Sequence, residues 1–147
     1  MREMGIQLPE PPEAVASYIP WVVAGDLIFV SGQIPSRDGG LPRTGRVGED
    51  LSVEEGAEEA RFCALNVLAQ LRGAAGTLDA IGRIVRLGVY VASAPGFRHQ
   101  PAVANGASDL MKEVFGDAGE HSRAAVGVAE LPMGAPVEVD AIAMIER

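Results

Sequence analysis

The chain is poor in several residue types, and each shortage removes a class of function. Among 147 residues there is one cysteine, Cys63. A single thiol closes no internal disulfide and builds no multi-cysteine zinc site. The two histidines, His99 and His121, stand far apart and make poor metal ligands, so neither a metal nor another cofactor is expected. Of the twelve basic residues, eleven are arginines and one is Lys112; they form no run of three, and the net charge is −8. A phosphate backbone calls for a basic stripe, so no nucleic-acid partner is expected. No stretch approaches about 18 consecutive apolar residues, which excludes a membrane-spanning helix. The first six residues include an acid and no apolar run, unlike a signal peptide. The expectation is a soluble cytoplasmic protein. A phosphate-binding glycine loop, a dinucleotide fingerprint and paired histidines at helical spacing are all missing.

What is there is apolar and ordered. Hydrophobic residues make up 48% of the chain, and the mean hydropathy is +0.16. That excludes a disordered chain. The length fits one domain that buries roughly two-thirds of its unfolded surface. Residues 1–17, with Pro9, Pro11 and Pro12, read as an extended arm, either a loose tail or a strap. Residues 18–147 read as the domain.

In chain order, Tyr18 to Ala24 and Leu27 to Val30 flank Gly25-Asp26 and predict a hairpin, with Pro20 marking an edge strand or bulge. The second strand ends in Ser31-Gly32-Gln33-Ile34-Pro35. Residues 36–50 are loop, with room for a short strand near Leu41. Ser52 with Glu55 forms a capping box. Val53, Ala57, Ala60, Ala64, Val67, Leu68, Leu71 and Ala75 then recur at helical spacing until Gly73 or Gly76 ends the helix. Ile84 to Val91 alternates as a strand, with Val85, Leu87, Val89 and Val91 on one face. Pro101 opens a second helix and Gly116 stops it. Gly106 inside it costs about 1 kcal/mol against alanine, which points to a close contact there. Ser122–Ala129 and Val137–Ile145 read as two strands joined by a Pro/Gly turn. The order β-β-α-β-α-β-β predicts an α+β fold, one mixed sheet with both helices on one face. The other face then needs cover, which self-association supplies.

Arg123 and Glu138 are the leading candidate site residues. An arginine among alanines and valines is costly to bury without an anion, and its planar fork matches a carboxylate. The competing reading is an ion pair with Glu138 on the neighbouring strand, or a solvated strand end. Glu138 alternates away from Val137 and Val139 and belongs either to a polar sheet face with Asp140 or to a proton-moving site. Tyr18 is a ligand donor or an interface aromatic. Ser31-Gly32 offers strand-end amides to a carboxylate or is an ordinary strand-to-loop glycine. Asn105, before Gly106, is a helix-surface or site residue. Cys63 reads as packing and His121 as a surface histidine.

Taken together, Tyr18, Ser31 to Pro35, Arg123, Leu131-Pro132 and Val137 to Ala141 resemble the YjgF/RidA family, which also carries the label endoribonuclease L-PSP. The resemblance runs from about Tyr18 to Ile145. It implies a chorismate-mutase-like fold, homotrimers whose sheets form a central barrel, and intersubunit clefts for small carboxylate-bearing ligands. It further implies a hydrolase of the 2-iminobutanoate/2-iminopropanoate deaminase kind, in which Arg123 grips the substrate carboxylate and Glu138 places a water. Tyr18, Ser31, Gly32 and Asn105 would line the cleft, and no cofactor would be needed. The chain departs from the family where Glu120-His121-Ser122-Arg123 replaces the usual Pro-Ala-Arg-Ser run and Ala125 stands where a cysteine is common. Its arm and the segment Gln100–Leu110 resemble a separate subgroup. Two alternatives accompany deamination: a non-catalytic carboxylate-binding or regulatory trimer, and a ribonuclease or translation inhibitor, against which the charge of −8 weighs.

Overall fold

Local chemistry sets the ends of most elements. The computed structural model describes residues 5–14 and 17–146; expectations that fall on residues 1–4, 15, 16 and 147 lie outside the described residues. Gly25 adopts φ +62°. It turns strand β1 (Trp21–Ala24) into β2 (Leu27–Gln33), antiparallel with Ala24 opposite Leu27. β1 begins after Pro20 and not at Tyr18, because proline brings no N–H to a ladder and holds its predecessor extended. Helix α1 (Val53–Ala75) opens with both bonds of the capping box: Glu55 N–H donates to Ser52 Oγ at 3.1 Å, and Ser52 N–H to Glu55 Oε1 at 3.0 Å. It passes through Gly73 and stops at Gly76, φ +85°. Strand β3 (Ile81–Ala92) leads to helix α2 (Gln100–Phe115), which has Pro101 in its first turn and stops at Gly116. Strands β4 (Ser122–Val128) and β5 (Val137–Ile145) complete the chain.

The sheet order is β1-β2-β5-β3-β4, antiparallel except for β3 beside β4. Both helices pack on one face. There Ile28, Val30, Leu87, Val89, Val139 and Ala141 from the sheet meet Ala64, Val67, Leu68, Leu71, Leu110 and Met111 from the helices. The helices cross where α2 has Gly106; a Cβ there would run into the Ala57 carbonyl. This is the close contact that the interior glycine predicts.

Three expectations are corrected. The last two strands are not paired with each other. α2 returns β4 parallel to the edge of β3, as a strand–helix–strand crossover does, so β5 inserts between β2 and β3. In β3 the register shifts between Ile84 and Arg86. The bulge puts Ile84, and not Val85, in the core with Leu87. Near Leu41 there is no strand; the loop makes isolated bridges instead, Arg37 with Gly40 and Val47 with Leu51 and Ser93.

The loop and the arm are both tied to α1. Glu59, with no exposed surface, receives Arg37 in two-pronged fashion at 3.1 and 3.0 Å and Arg43 at 3.2 Å. Arg37 also lies 3.5 Å over the Phe62 ring. The arm is a strap: Ile6 and Leu8 pack against the core, and Gln70 Nε2 donates to the Pro12 carbonyl at 2.7 Å.

Candidate functional site

Glu138 sits on β5 between inward-facing Val137 and Val139, so alternation turns it to the face away from the helices. Its neighbour across the ladder is Tyr90. Room for its carboxyl is made by Gly32, at the irregularity in β2 where the register shifts between Val30 and Gln33. A Cβ on Gly32 would lie 2.8 Å from the Glu138 carboxyl carbon. Among the described residues nothing hydrogen-bonds this carboxylate. Burial, and then the charge of Asp140, pushes its pKa above the ordinary value. Glu138 thus opens onto a cavity of about 250 Å³ that Tyr18 and Gly32 also line.

Ser31 works one step back. Its hydroxyl donates to the Ile19 carbonyl at 2.8 Å, and its N–H donates to the Pro20 carbonyl at 2.9 Å. These bonds hold the segment that carries Tyr18 beside the cavity; the Ser31 hydroxyl is spent on backbone.

Arg123 lies elsewhere. On β4 it stands opposite Leu87, a core residue, so it faces the helices. Its Nη1 donates to Asn105 Oδ1 at 2.9 Å and to Ser108 Oγ at 3.0 Å, both on α2. Ser108 Oγ is 2.8 Å from His121 Nε2, and His121 Nδ1 is 2.6 Å from the Gly119 carbonyl. A carbonyl only accepts, so Nδ1 carries the proton and Nε2 accepts from Ser108. The bonds therefore run one way: Arg123 to Ser108 to His121 to Gly119. Among the described residues no carboxylate pairs with Arg123, and the Nη2 and Nε hydrogens have no partner. The competing reading, an ion pair with Glu138, is overturned. β3 separates their strands, and the two side chains leave opposite faces of the sheet.

The six nominated residues therefore fall into two groups within one chain: Tyr18, Ser31, Gly32 and Glu138 on one side, Asn105 and Arg123 on the other. The sequence reading missed Ser108 and gave His121 no role. Asn105 and Ser108 are three apart on a helix and so share a face; that spacing was the available signal. The polar sheet face expected for Glu138 and Asp140 is there, and it joins two strands: Tyr90 Oη donates to Asp140 Oδ2 at 3.0 Å and Arg86 Nη1 lies 3.6 Å from Asp140 Oδ1. Burial, and then the bond to Asp140, pushes the Tyr90 phenol up.

The remaining reactive residues are accounted for by packing. Cys63 is fully buried, its thiol is pushed up mainly by that burial, and it donates to the Val137 carbonyl at 3.4 Å. His99 stands at the N-cap position of α2, where its side chain makes no capping bond and its ring meets Phe97 edge-on. Among the described residues no three potential ligands gather to hold a metal ion, and no helix is long and apolar enough to cross a membrane.

Known proteins share this architecture and sequence. The family model described as "YjgF/chorismate mutase-like, putative endoribonuclease" matches residues 1–143. The chain is 48% identical over 143 residues to Protein TCP17 of Trypanosoma cruzi, covering 97% of this chain and 89% of that one. It is 33% identical over 133 residues to the 2-iminobutanoate/2-iminopropanoate deaminase of Salmonella typhimurium, covering 90% and 91%. The crystal structure of E. coli TdcF with bound serine matches with a TM-score of 0.68 at 28% identity, covering 92% of this chain and 93% of TdcF.

Proposed function

Because the chain belongs to the YjgF family, we propose that it hydrolyses reactive 2-imino and enamine acids to 2-keto acids and ammonia, at clefts between the copies of a homotrimer. The observation that carries this reading is Arg123. Two neutral acceptors aim its guanidinium, and among the described residues no carboxylate neutralises it and its Nη2 and Nε hydrogens are open. Such a fork takes a carboxylate side-on. A relative bearing a deaminase name and a relative with bound serine agree with a small amino-acid-like ligand.

Glu138 supplies the other half of the chemistry. A carboxyl with a raised pKa accepts a proton readily. With the substrate carboxylate on Arg123, a water held by Glu138 bonds to the imine carbon and gives its proton to Glu138. The C=N electron pair moves to nitrogen, which takes that proton. The hydroxyl proton then passes by way of Glu138 to the amine nitrogen, the C–N bond breaks, ammonia leaves, and the oxygen becomes the keto oxygen. Orientation and charge placement suffice for so facile a hydrolysis.

Arg123 and Glu138 face opposite ways in one chain, so the cleft needs Arg123 from one copy and Glu138 from the next. The face opposite the helices supports assembly. Val22, Phe29, Val126 and Met144 are 47%, 41%, 45% and 39% exposed there. Burying these apolar side chains drives association.

The test is direct. A pyridoxal-phosphate dehydratase generates 2-aminoacrylate, and pyruvate release is followed. The wild type is expected to accelerate release, and Arg123→Ala to lose about a hundredfold of that. No acceleration, or equal acceleration by Arg123→Ala, overturns the reading. The same arginine geometry carries a second reading, a trimer that binds carboxylates without turnover; calorimetry with 2-keto acids would then show saturable heat and no product. The net charge of −8 and the absence of a basic run argue against a ribonuclease.

A further inference from the structure

His121 is half-buried just before β4, and its ring is held from both sides. Nδ1 gives its hydrogen to the Gly119 carbonyl, and Nε2 receives the Ser108 hydroxyl, so the neutral ring is fully bonded. One serine oxygen thereby joins two groups that can both carry positive charge. The Arg123 guanidinium lies 3.0 Å from it and the imidazole 2.8 Å. The arginine is always charged; the histidine is charged only once it takes a proton.

The charged ring also finds its bonds. Nε2–H donates to Ser108 Oγ, whose other lone pair still takes Arg123. The serine hydrogen turns to the Ala104 carbonyl, four residues back on the helix, as helical serines do. Arg123 thus keeps its aim in both states. A carboxylate on Arg123 cancels the first positive charge and sets a negative one facing the ring, so a proton there is held better with the ligand than without it. No other group takes this part. Arg83 from β3 spends Nη2 on the Glu120 carbonyl at 3.0 Å. Asp117 and Glu120 on the turn, and Asp109 and Lys112 on α2, are exposed. Among the described residues no carboxylate pairs with His121, whose ring nitrogens meet Ser108 and Gly119. In the proposed cleft the neighbouring copy adds its Glu138.

We propose that His121 is a second, proton-dependent cation of the carboxylate site. A carboxylate arriving on Arg123 draws a proton from solvent onto Nε2, and acid correspondingly tightens the hold on the carboxylate. The two effects are one coupling and equal in size. The proposal rests on the reading of Arg123 as the residue that takes the carboxylate. His121 acts across the serine oxygen, so it is a positioning residue.

The test is calorimetry with pyruvate, run on Glu138→Gln so that the neighbour's acid takes up no proton. At about pH 6.5, where histidines ordinarily titrate, binding heats are compared in MES and in imidazole, buffers with different ionisation heats. A fraction of a proton is expected to be taken up for each pyruvate bound. Affinity is expected to rise about fivefold from about pH 8 to about pH 5.5. Adding His121→Gln, which keeps an acceptor for Ser108 and cannot charge, is expected to abolish both effects and to leave affinity at about pH 8 unchanged. Adding His99→Gln, at the chain's other histidine, is expected to alter neither. No proton uptake in the parent, or uptake that persists with His121→Gln, overturns the proposal. If pyruvate does not bind, the carboxylate reading fails on its own, and urea unfolding decides the coupling. Arg123→Ala is then expected to cost less stability at about pH 5.5 than at about pH 8, because it separates two like charges, and His121→Gln to erase that difference. Such a difference supports the coupling; an equal cost at both pH values overturns it.

Discussion

Asn105 and Ser108 decide where Arg123 points, and His121 fixes the serine. Ser108 accepts from the guanidinium and passes its own proton toward His121, whose other nitrogen is fixed on the Gly119 carbonyl. Removing the Ser108 hydroxyl frees the arginine without discharging it. Ser108→Ala is therefore expected to weaken carboxylate binding about threefold to tenfold, the worth of one hydrogen bond, with kcat nearly unchanged. Calorimetry and steady-state kinetics read the split, and a fall in kcat at unchanged KM would contradict it. Glu138 makes a second prediction through stability. A carboxyl with a raised native pKa contributes most below its unfolded value, and that contribution is lost as pH rises through the native value. At neutral pH the charged form is thus a burden on the fold. Glu138→Gln is expected to raise Tm at neutral pH, and the gain is expected to vanish below the ordinary carboxyl value of 4.5. A gain that persists in acid would point to packing instead.

At the scale of elements, the crossing of α1 and α2 depends on a missing side chain. Gly106→Ala gains about 1 kcal/mol of helix propensity, yet its methyl meets the Ala57 carbonyl. Overpacking of this kind costs about 1–3 kcal/mol and more where backbone must move. A net loss of about 2 kcal/mol in urea unfolding is expected; a stabilised variant would show that the helices part freely. The same elements show what could be read from sequence. Ser52 with Glu55, Gly25, Pro101 and Gly116 were legible because each acts within one turn of chain. The place of β5 was not, since β4 and β5 are successive in sequence and only the α2 crossover puts β3 between them. Nor were the irregularities at Ser31-Gly32 and Val85: one extra residue breaks a period of two without leaving a mark in composition. Arg123 and Glu138 were thus identified as residue types, but the faces they occupy depend on pairings that the sequence does not spell out.

At the scale of the molecule, one sheet face is covered by helices and the other is bare of them. Phe29, 41% exposed, stands on that bare face. If copies meet there, the particle mass in solution is expected to be three times 15.3 kDa, and Phe29→Lys to reduce it by placing a charge in an apolar contact. Sedimentation measures both. A monomeric wild type would leave the trimer without support.

The split of Arg123 and Glu138 between opposite faces also has a genetic consequence. Two inactive proteins, Arg123→Ala and Glu138→Ala, each still carry the half that the other has lost. If the proposed trimer forms, the two unfolded together in equal amounts and reassembled at random are expected to rebuild about a quarter of the clefts intact, because each proposed cleft draws one half from each of two neighbours. Activity returning from two silent partners is intersubunit complementation, and a single chain that kept both residues in one pocket would never show it.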